Sequence, residues 1–182
     1  MIHLEEVDEN NWRLGLRVGE RQKDFVSDSY KMLARAYAYR NSRSCGYVIY
    51  DGETPVGMVM YHDCEPLDAY DFSQLFIDER YQGKGYGKAA TRLILDLMKQ
   101  DGKYQKVVLC FMEENETARK LYEGFGFQVT GQDDDEIIME MVLSEERTAV
   151  TPHPSRLCRA TFPSRGRLWR TDCHTSVRAG SQ

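Results

Sequence analysis

The chain opens with Ile2-His3-Leu4-Glu5-Glu6-Val7, where apolar and polar residues alternate with the two-residue period of a half-exposed strand. Asp8-Glu9-Asn10-Asn11 then supplies turn and cap chemistry and predicts a helix from about Trp12. Tyr30, Leu33, Ala34, Tyr37 and Ala38 recur at the threes and fours of one helical face, which predicts a second helix. Two apolar runs, 46–50 and 56–61, flank Asp51-Gly52-Glu53-Thr54 and read as a hairpin. A loop rich in Asp and Glu, from His62 to Asp71, is expected to lead into a strand over 72–77.

Ala89, Ala90, Leu93, Ile94, Leu97 and Met98 share one face of a third helix, stopped by Asp101-Gly102. A strand over 106–112, a helix over 115–123 and strands near 127–129 and 137–142 complete the pattern. The order is strand, two helices, three strands, helix, strand, helix, two strands. Such a series packs as an α/β (α+β) domain with a mixed central sheet and helices on both faces.

After Leu143 the periodicity vanishes, Pro152, Pro154 and Pro163 appear, and Lys gives way to Arg. The expected organisation is one folded domain over residues 1–144 and an Arg-rich, disordered tail or non-native extension over 145–182. From Arg147 onward seven Arg face a single acid, Asp172, a local charge of +6 that leaves −11 on residues 1–146 of a chain whose net charge is −5. An acidic domain concentrates cations and repels nucleic acid, so no nucleic-acid partner is expected of it. Met1-Ile2-His3-Leu4-Glu5-Glu6 lacks a basic region before an apolar core, and no apolar run is long enough to cross a bilayer. The expectation is a soluble, cytoplasmic protein with no membrane partner.

The five cysteines, Cys45, Cys64, Cys110, Cys158 and Cys173, are odd in number and scattered, which disfavours a disulfide framework. Cys110 reads as a small core residue. His153, Cys158, Cys173 and His174 lack a chelating spacing, so no metal is expected.

The candidate chemistry lies in Tyr81-Gln82-Gly83-Lys84-Gly85-Tyr86-Gly87-Lys88, which runs from an apolar segment into a helical pattern beginning at Ala89. Alternate glycines let a backbone approach a ligand, and a following helix offers unpaired N–H groups to an anion. A dinucleotide fingerprint would need glycine where Lys88 stands, and a Walker loop would need four residues between its first glycine and a Gly-Lys-Ser/Thr. The spacing instead fits Gln-x-x-Gly-x-Gly through Gln82, Gly85 and Gly87. Downstream, Asn115-Glu116-Thr117-Ala118-Arg119-Lys120-Leu121-Tyr122 is followed by Gly126-Phe127. An ordinary amphipathic helix capped by Asn115 and stopped at Gly124 or Gly126 explains this second block by itself, but not its pairing with the loop.

Together the two blocks resemble the hallmarks of the GNAT superfamily of N-acetyltransferases. The run Leu75 to Lys88 is similar to that of bacterial diamine and polyamine (spermine/spermidine) acetyltransferases, and the likeness covers about Met1 to Leu143. The resemblance implies acetyl-CoA as co-substrate. It implies a pyrophosphate cradle from Gln82, Gly83, Lys84, Gly85, Tyr86, Gly87 and Lys88, and strand amides at Leu75, Phe76 and Ile77 for the pantetheine and the thioester oxygen. It also implies cofactor contacts at Asn115 and Ala118, and Tyr122 as proton donor to the leaving thiolate, where a core tyrosine is the alternative. Relatives often carry an acid on the strand before the cofactor-binding triplet; here Ser73 and Gln74 stand there. Asp71, Glu65, Asp78 or a water chain could serve instead, and no base is assigned.

The implied acceptor is a small-molecule amine, a polyamine by resemblance, with Asp63, Glu65, Asp68 and Asp71 as candidates for an acidic wall. A protein N-terminus, an aminoglycoside or a non-catalytic acetyl-CoA-binding module are the alternatives, and a homodimer is left open.

Overall fold

The computed structural model describes residues 1–143. The expectations for 145–182, including the tail and the weighed metal set, lie outside the described residues. The elements are strands β1 (Ile2–Glu6), β2 (Cys45–Asp51), β3 (Thr54–Cys64), β4 (Ala69–Ile77), β5 (Lys106–Met112), β6 (Gln128–Asp133) and β7 (Glu136–Val142), with helices α1 (Ser29–Ala38), α2 (Tyr86–Asp101) and α3 (Glu116–Glu123). No described helix is long and apolar enough to cross a membrane.

The strands form one mixed sheet in the order β1-β2-β3-β4-β5-β7-β6, parallel between β4 and β5 and antiparallel elsewhere. Each face buries its own core. On one side Met32 of α1, together with Leu16, covers Val48, Met58, Met60 and Phe76. On the other, Ala90, Ile94, Leu95 and Met98 of α2 and Tyr122 of α3 cover Val59, Tyr70, Phe72, Ile77, Val107 and Leu109. The mixed sheet with helices on both faces is thus the arrangement the apolar periodicities require.

Three local expectations need correction. No helix forms at Trp12. The carboxylate of Asp8 accepts the amides of Asn10 and Asn11, and Asn11 accepts the Asp8 amide, so the cap chemistry closes a turn on itself. Leu14, Leu16 and Val18 then reach the core with a period of two around Gly15, whose φ is +65°. The helix α1 forms as expected but turns Tyr30 and Tyr37 to solvent, because Met32, Leu33 and Ala36 make the apolar contacts. The acidic segment is mostly strand: β3 runs on to Cys64 and β4 begins at Ala69, leaving only a short 3-10 turn, Glu65–Leu67, and Asp68 between them. Asp63 and Asp71 are buried in consequence.

Two features of β4 position the site. Its register with β3 steps from Met60↔Gln74 to His62↔Asp71, so Tyr61 faces two residues, Phe72 and Ser73. This bulge re-aims the side chains on either side of it. Toward β5, pairing is confined to Tyr70↔Val107 and Asp71↔Val108. Beyond that point the parallel strands part, and the edge of β4 facing β5 carries no further ladder.

Candidate active site

Where β4 and β5 part, a cleft of about 370 Å³ opens. Phe72, Ser73, Gln74 and Leu75 form one wall, and Cys110, Phe111 and Met112 form the other. Asn115, Ala118 and Tyr122 of the third helix region line it, as do the segment 23–27, Lys31, Arg35 and Glu136. Leu75, from the strand that the resemblance implies for the cofactor, and Asn115, Ala118 and Tyr122 of the downstream block therefore meet at one cavity although they come from distant parts of the chain. Phe76 and Ile77 send their side chains into opposite cores and can meet a ligand only through their backbone.

Tyr122 is 8% exposed. Its ring packs edge-on against Phe72 and Phe127, at centroid distances of 5.8 and 5.6 Å. Burial raises its phenol pKa well above the ordinary tyrosine value, with the Cys110 thiol adding to the shift. The hydroxyl is therefore protonated at neutral pH, as a proton donor must be. Asn115 caps α3, its carbonyl oxygen accepting the Ala118 amide at 3.0 Å, which leaves its NH₂ as the group able to meet a ligand. Phe127 N–H returns to the Tyr122 carbonyl at 3.1 Å, and Gly126 has φ +94°, so the glycine closes the helix end.

The glycine loop lies beyond Ile77, at the far end of β4, and does not line the cleft. Gly83 and Gly85 have φ of +74° and +83°, values that only glycine adopts easily. The helix starts earlier than its apolar pattern predicts, at Tyr86 with Gly85 as N-cap. Tyr86, Gly87 and Lys88 thus form the first turn, and the first closing bond is Ala89 N–H to the Gly85 carbonyl at 3.1 Å. First-turn amides are the free donors of a helix, so the fit to an anionic group is through backbone. Several side chains of the loop have local partners. Gln82 donates to the Ile77 carbonyl and to Gln22, Tyr86 donates to Asp51, and the Lys84 ammonium sits over the Tyr81 ring.

The loop entry is fixed by Asp78, which is fully buried. It accepts the Arg17 amide at 2.9 Å, the Arg80 amide at 3.0 Å and two guanidinium bonds from Arg80 at 2.8 and 2.7 Å. Arg80 holds its carboxyl down at about 2.

Several cleft residues escaped the sequence pattern. Lys31 and Arg35 carry no motif, and only the packing of α1 over the parted strands brings them in, whereas Lys23 and Asp24 belong to Gln22-Lys23-Asp24-Phe25-Val26, a run that shares in the family likeness of the amino-terminal half. Cys110 points into the cleft rather than the core, because it alternates with the core residues Leu109 and Phe111. Arg35 Nε and Gln74 Oε1 are buried with no hydrogen-bond partner among the described residues. Behind Ser73 lies His62, which is 4% exposed, with Tyr39 tilted against it at 4.3 Å. Burial pulls the imidazole below its ordinary pKa, against the opposing pull of Asp71. The expected acidic wall does not face this cavity: Asp63 pairs with Lys103 and Arg43, and Glu65 and Asp68 lie in the turn beyond the paired end of β4.

Comparison with known proteins agrees with this geometry. The model of the Acetyltransferase (GNAT) family matches residues 10–127. A spermine/spermidine N(1)-acetyltransferase of Bacillus subtilis is 30% identical over 139 residues, covering 72% of this chain and 90% of the relative. N-acetylaspartate synthetase of Rattus norvegicus is 32% identical over 109 residues, covering 59% of this chain but only 36% of the relative. The crystal structure of a spermidine N-acetyltransferase from Vibrio cholerae in complex with CoA and spermine superposes with a TM-score of 0.62 at 17% identity, over 78% of this chain and 95% of the other. The family's acetyl donor is acetyl-CoA. With the parted strands, the glycine-capped helix and the family match in agreement, the chain belongs to the GNAT family and is an N-acetyltransferase.

Proposed function

We propose that the chain transfers the acetyl group of acetyl-CoA to a primary amine of a polyamine, such as spermine or spermidine, by direct attack. The observation that carries the transfer chemistry is the parting of β4 from β5 beside a buried, neutral tyrosine. The free edge of β4 offers backbone N–H groups to an extended amide-bearing arm and to the oxygen that gains charge as the thioester carbonyl is attacked. Anionic phosphates belong at the other end of the strand, on the first-turn amides of α2. An amine with a pKa near 10.4 must be neutral to attack, and its nitrogen must then lose a proton. The departing thiolate takes its proton from Tyr122.

The polyamine acceptor rests on the Bacillus relative, which aligns over nearly its whole length. A second reading is favoured by one observation: Lys23, Lys31 and Arg35 line the cleft, and Arg35 Nε is without a partner among the described residues. A cationic wall suits an amine that also carries a carboxylate, as the name of the synthetase relative describes. A thiol-release assay with acetyl-CoA over spermine, spermidine, propylamine, L-aspartate, N-terminal peptides and an aminoglycoside separates the two. Preference for spermine over propylamine, weakening as salt screens charge over about 10 Å at 0.1 M, supports the polyamine. Preference for aspartate, lost in Arg35→Gln, replaces it with the carboxylate-bearing acceptor.

A further inference from the structure

Strand β4 carries Ser73 at the cleft, and the surroundings of that serine differ from those of an ordinary surface hydroxyl. Ser73 lines the cleft at the β4 bulge, and its Oγ lies 2.7 Å from His62 Nδ1 while donating to Asp71 Oδ1 at 2.8 Å. His62 and Asp71 are both buried, on adjacent strands, and His62↔Asp71 is the register pair that brackets the bulge. A cleft hydroxyl thus joins a buried imidazole to a buried carboxylate.

We propose that Ser73 relays the proton lost by the attacking amine to His62, with Asp71 stabilising the imidazolium that results. The relay rests on the acetyl-transfer function proposed above and supplies the base that its chemistry requires. As the amine nitrogen bonds to the thioester carbon, it becomes positive and acidic. Its proton passes to Ser73 Oγ, and the original Ser73 proton passes to His62 Nδ1. The carbonyl reforms, the carbon–sulfur bond breaks, and the thiolate takes the Tyr122 proton. His62 then returns a proton to Tyr122 through solvent, so the products are the acetylated amine and the free thiol of CoA.

The geometry suits the state in which the proton has arrived. An imidazolium donates from Nδ1 to Ser73 Oγ, and Ser73 donates to Asp71 Oδ1, while the second N–H, at Nε2, lies 3.9 Å from Asp71 Oδ2, near enough for the charge though not for a hydrogen bond. Before transfer, rotation of the hydroxyl points its single hydrogen at a neutral Nδ1. The order of the residues also separates this chain from a nucleophilic triad, where the histidine stands between serine and carboxylate. Here the serine stands in the middle.

His62 is faced by Asp71 from β4, Asp63 from β3, and Arg35 and Tyr39 from the other side of the pocket that holds it. Burial and the Arg35 cation lower its pKa, and the two carboxylates oppose them without reversing the shift. His62 is therefore neutral near pH 7 and free to accept. Acid that protonates His62 fills the relay, so turnover must fall on the acid side, below the ordinary imidazole value of about 6.5.

The test is the pH profile of turnover at saturating acetyl-CoA and amine, for the parent protein, His62→Asn and Ser73→Ala, with CoA affinity measured by calorimetry. Asparagine keeps a hydrogen bond toward Ser73 but holds no proton. Ser73→Ala deletes one oxygen at the cleft wall and tests the same path without touching the buried position. The expected result is that both variants lose about 10²–10⁴-fold in turnover at neutral pH, lose the acid limb below 6.5, and bind CoA as the parent does. An acid limb that persists unchanged in both variants while the parent turns over overturns the relay alone. A parent that releases no thiol with any amine overturns the proposed function and the relay with it.

Discussion

The approach of β3 to β4 at the end nearest the glycine loop can be probed with one carbon atom. Gly57 pairs with Ile77, and a Cβ built on it would lie 2.3 Å from the Phe76 carbonyl oxygen, 2.9 Å from Ile77 Cδ1 and 3.1 Å from Ile77 Cα. The first contact is about an ångström too short, and its partner is backbone, which cannot rotate aside as a side chain does. Relief requires β4 to move away from β3, toward the side where no ladder to β5 holds it beyond Asp71. Overpacking of this kind costs about 1–3 kcal/mol. Each kcal/mol lowers Tm by roughly 2–4 °C in a domain of this size, so Gly57→Ala should melt roughly 2–12 °C below the parent. Because the displaced edge is the one proposed to receive pantetheine, CoA affinity should fall as well. Gly131→Ala is the control: the same carbon, in the same sheet, meets nothing closer than Ile138 Cδ1 at 3.7 Å. Its Tm should match or slightly exceed the parent's, since alanine restricts the unfolded chain. Thermal unfolding followed by circular dichroism, with calorimetric titration of CoA, reads both quantities. A Gly57→Ala protein that melts within about 1 °C of the parent and binds CoA equally well would refute the steric reasoning.

Gly85→Val meets no neighbour within 4 Å but must hold a branched residue at φ +83°, so the expected loss is in loop geometry and CoA affinity; unchanged binding in a folded variant removes the loop from the site. Tyr122→Phe keeps the aromatic packing and removes the donor, and should lower turnover about 10²–10⁴-fold with CoA affinity retained; full turnover, with chemistry limiting, assigns protonation of the thiolate to another group. The depressed carboxyl of Asp78, at about 2, contributes stability that is complete above the ordinary value near 3.9 and is lost as pH falls from there through 2. Asp78→Asn should lower stability at neutral pH and flatten that part of the acid-unfolding curve; an unaltered curve would show that the Arg17 and Arg80 bonds contribute nothing net.

The amino-acid sequence by itself determined the order of elements from α1 onward, the two left-handed glycines of the loop before α2 and the presence of the Asn115 to Tyr122 helix downstream of it. Each is a local matter. Helix α2 and strand β5 follow from apolar period, the positive φ of Gly83 and Gly85 from the residue type that adopts it most easily, and the α3 cap from the asparagine that begins it. What the sequence left undecided depends on contacts between distant segments. Whether Asp8 starts a helix or closes a turn was settled by Leu14, Leu16 and Val18, which reach the core with a period of two. Whether the carboxylates of 63–71 line the cleft was decided by the extension of β3 and β4, which buries Asp63 against Lys103 and Arg43. The proton path was the least legible of all. His62 and Ser73 stand eleven positions apart and belong to no motif, yet the bulge in β4 sets one behind the other. A register step of one residue only shifts the phase of the apolar alternation, here from Tyr70 and Phe72 to Leu75 and Ile77, but it decides which side chains meet at the cleft.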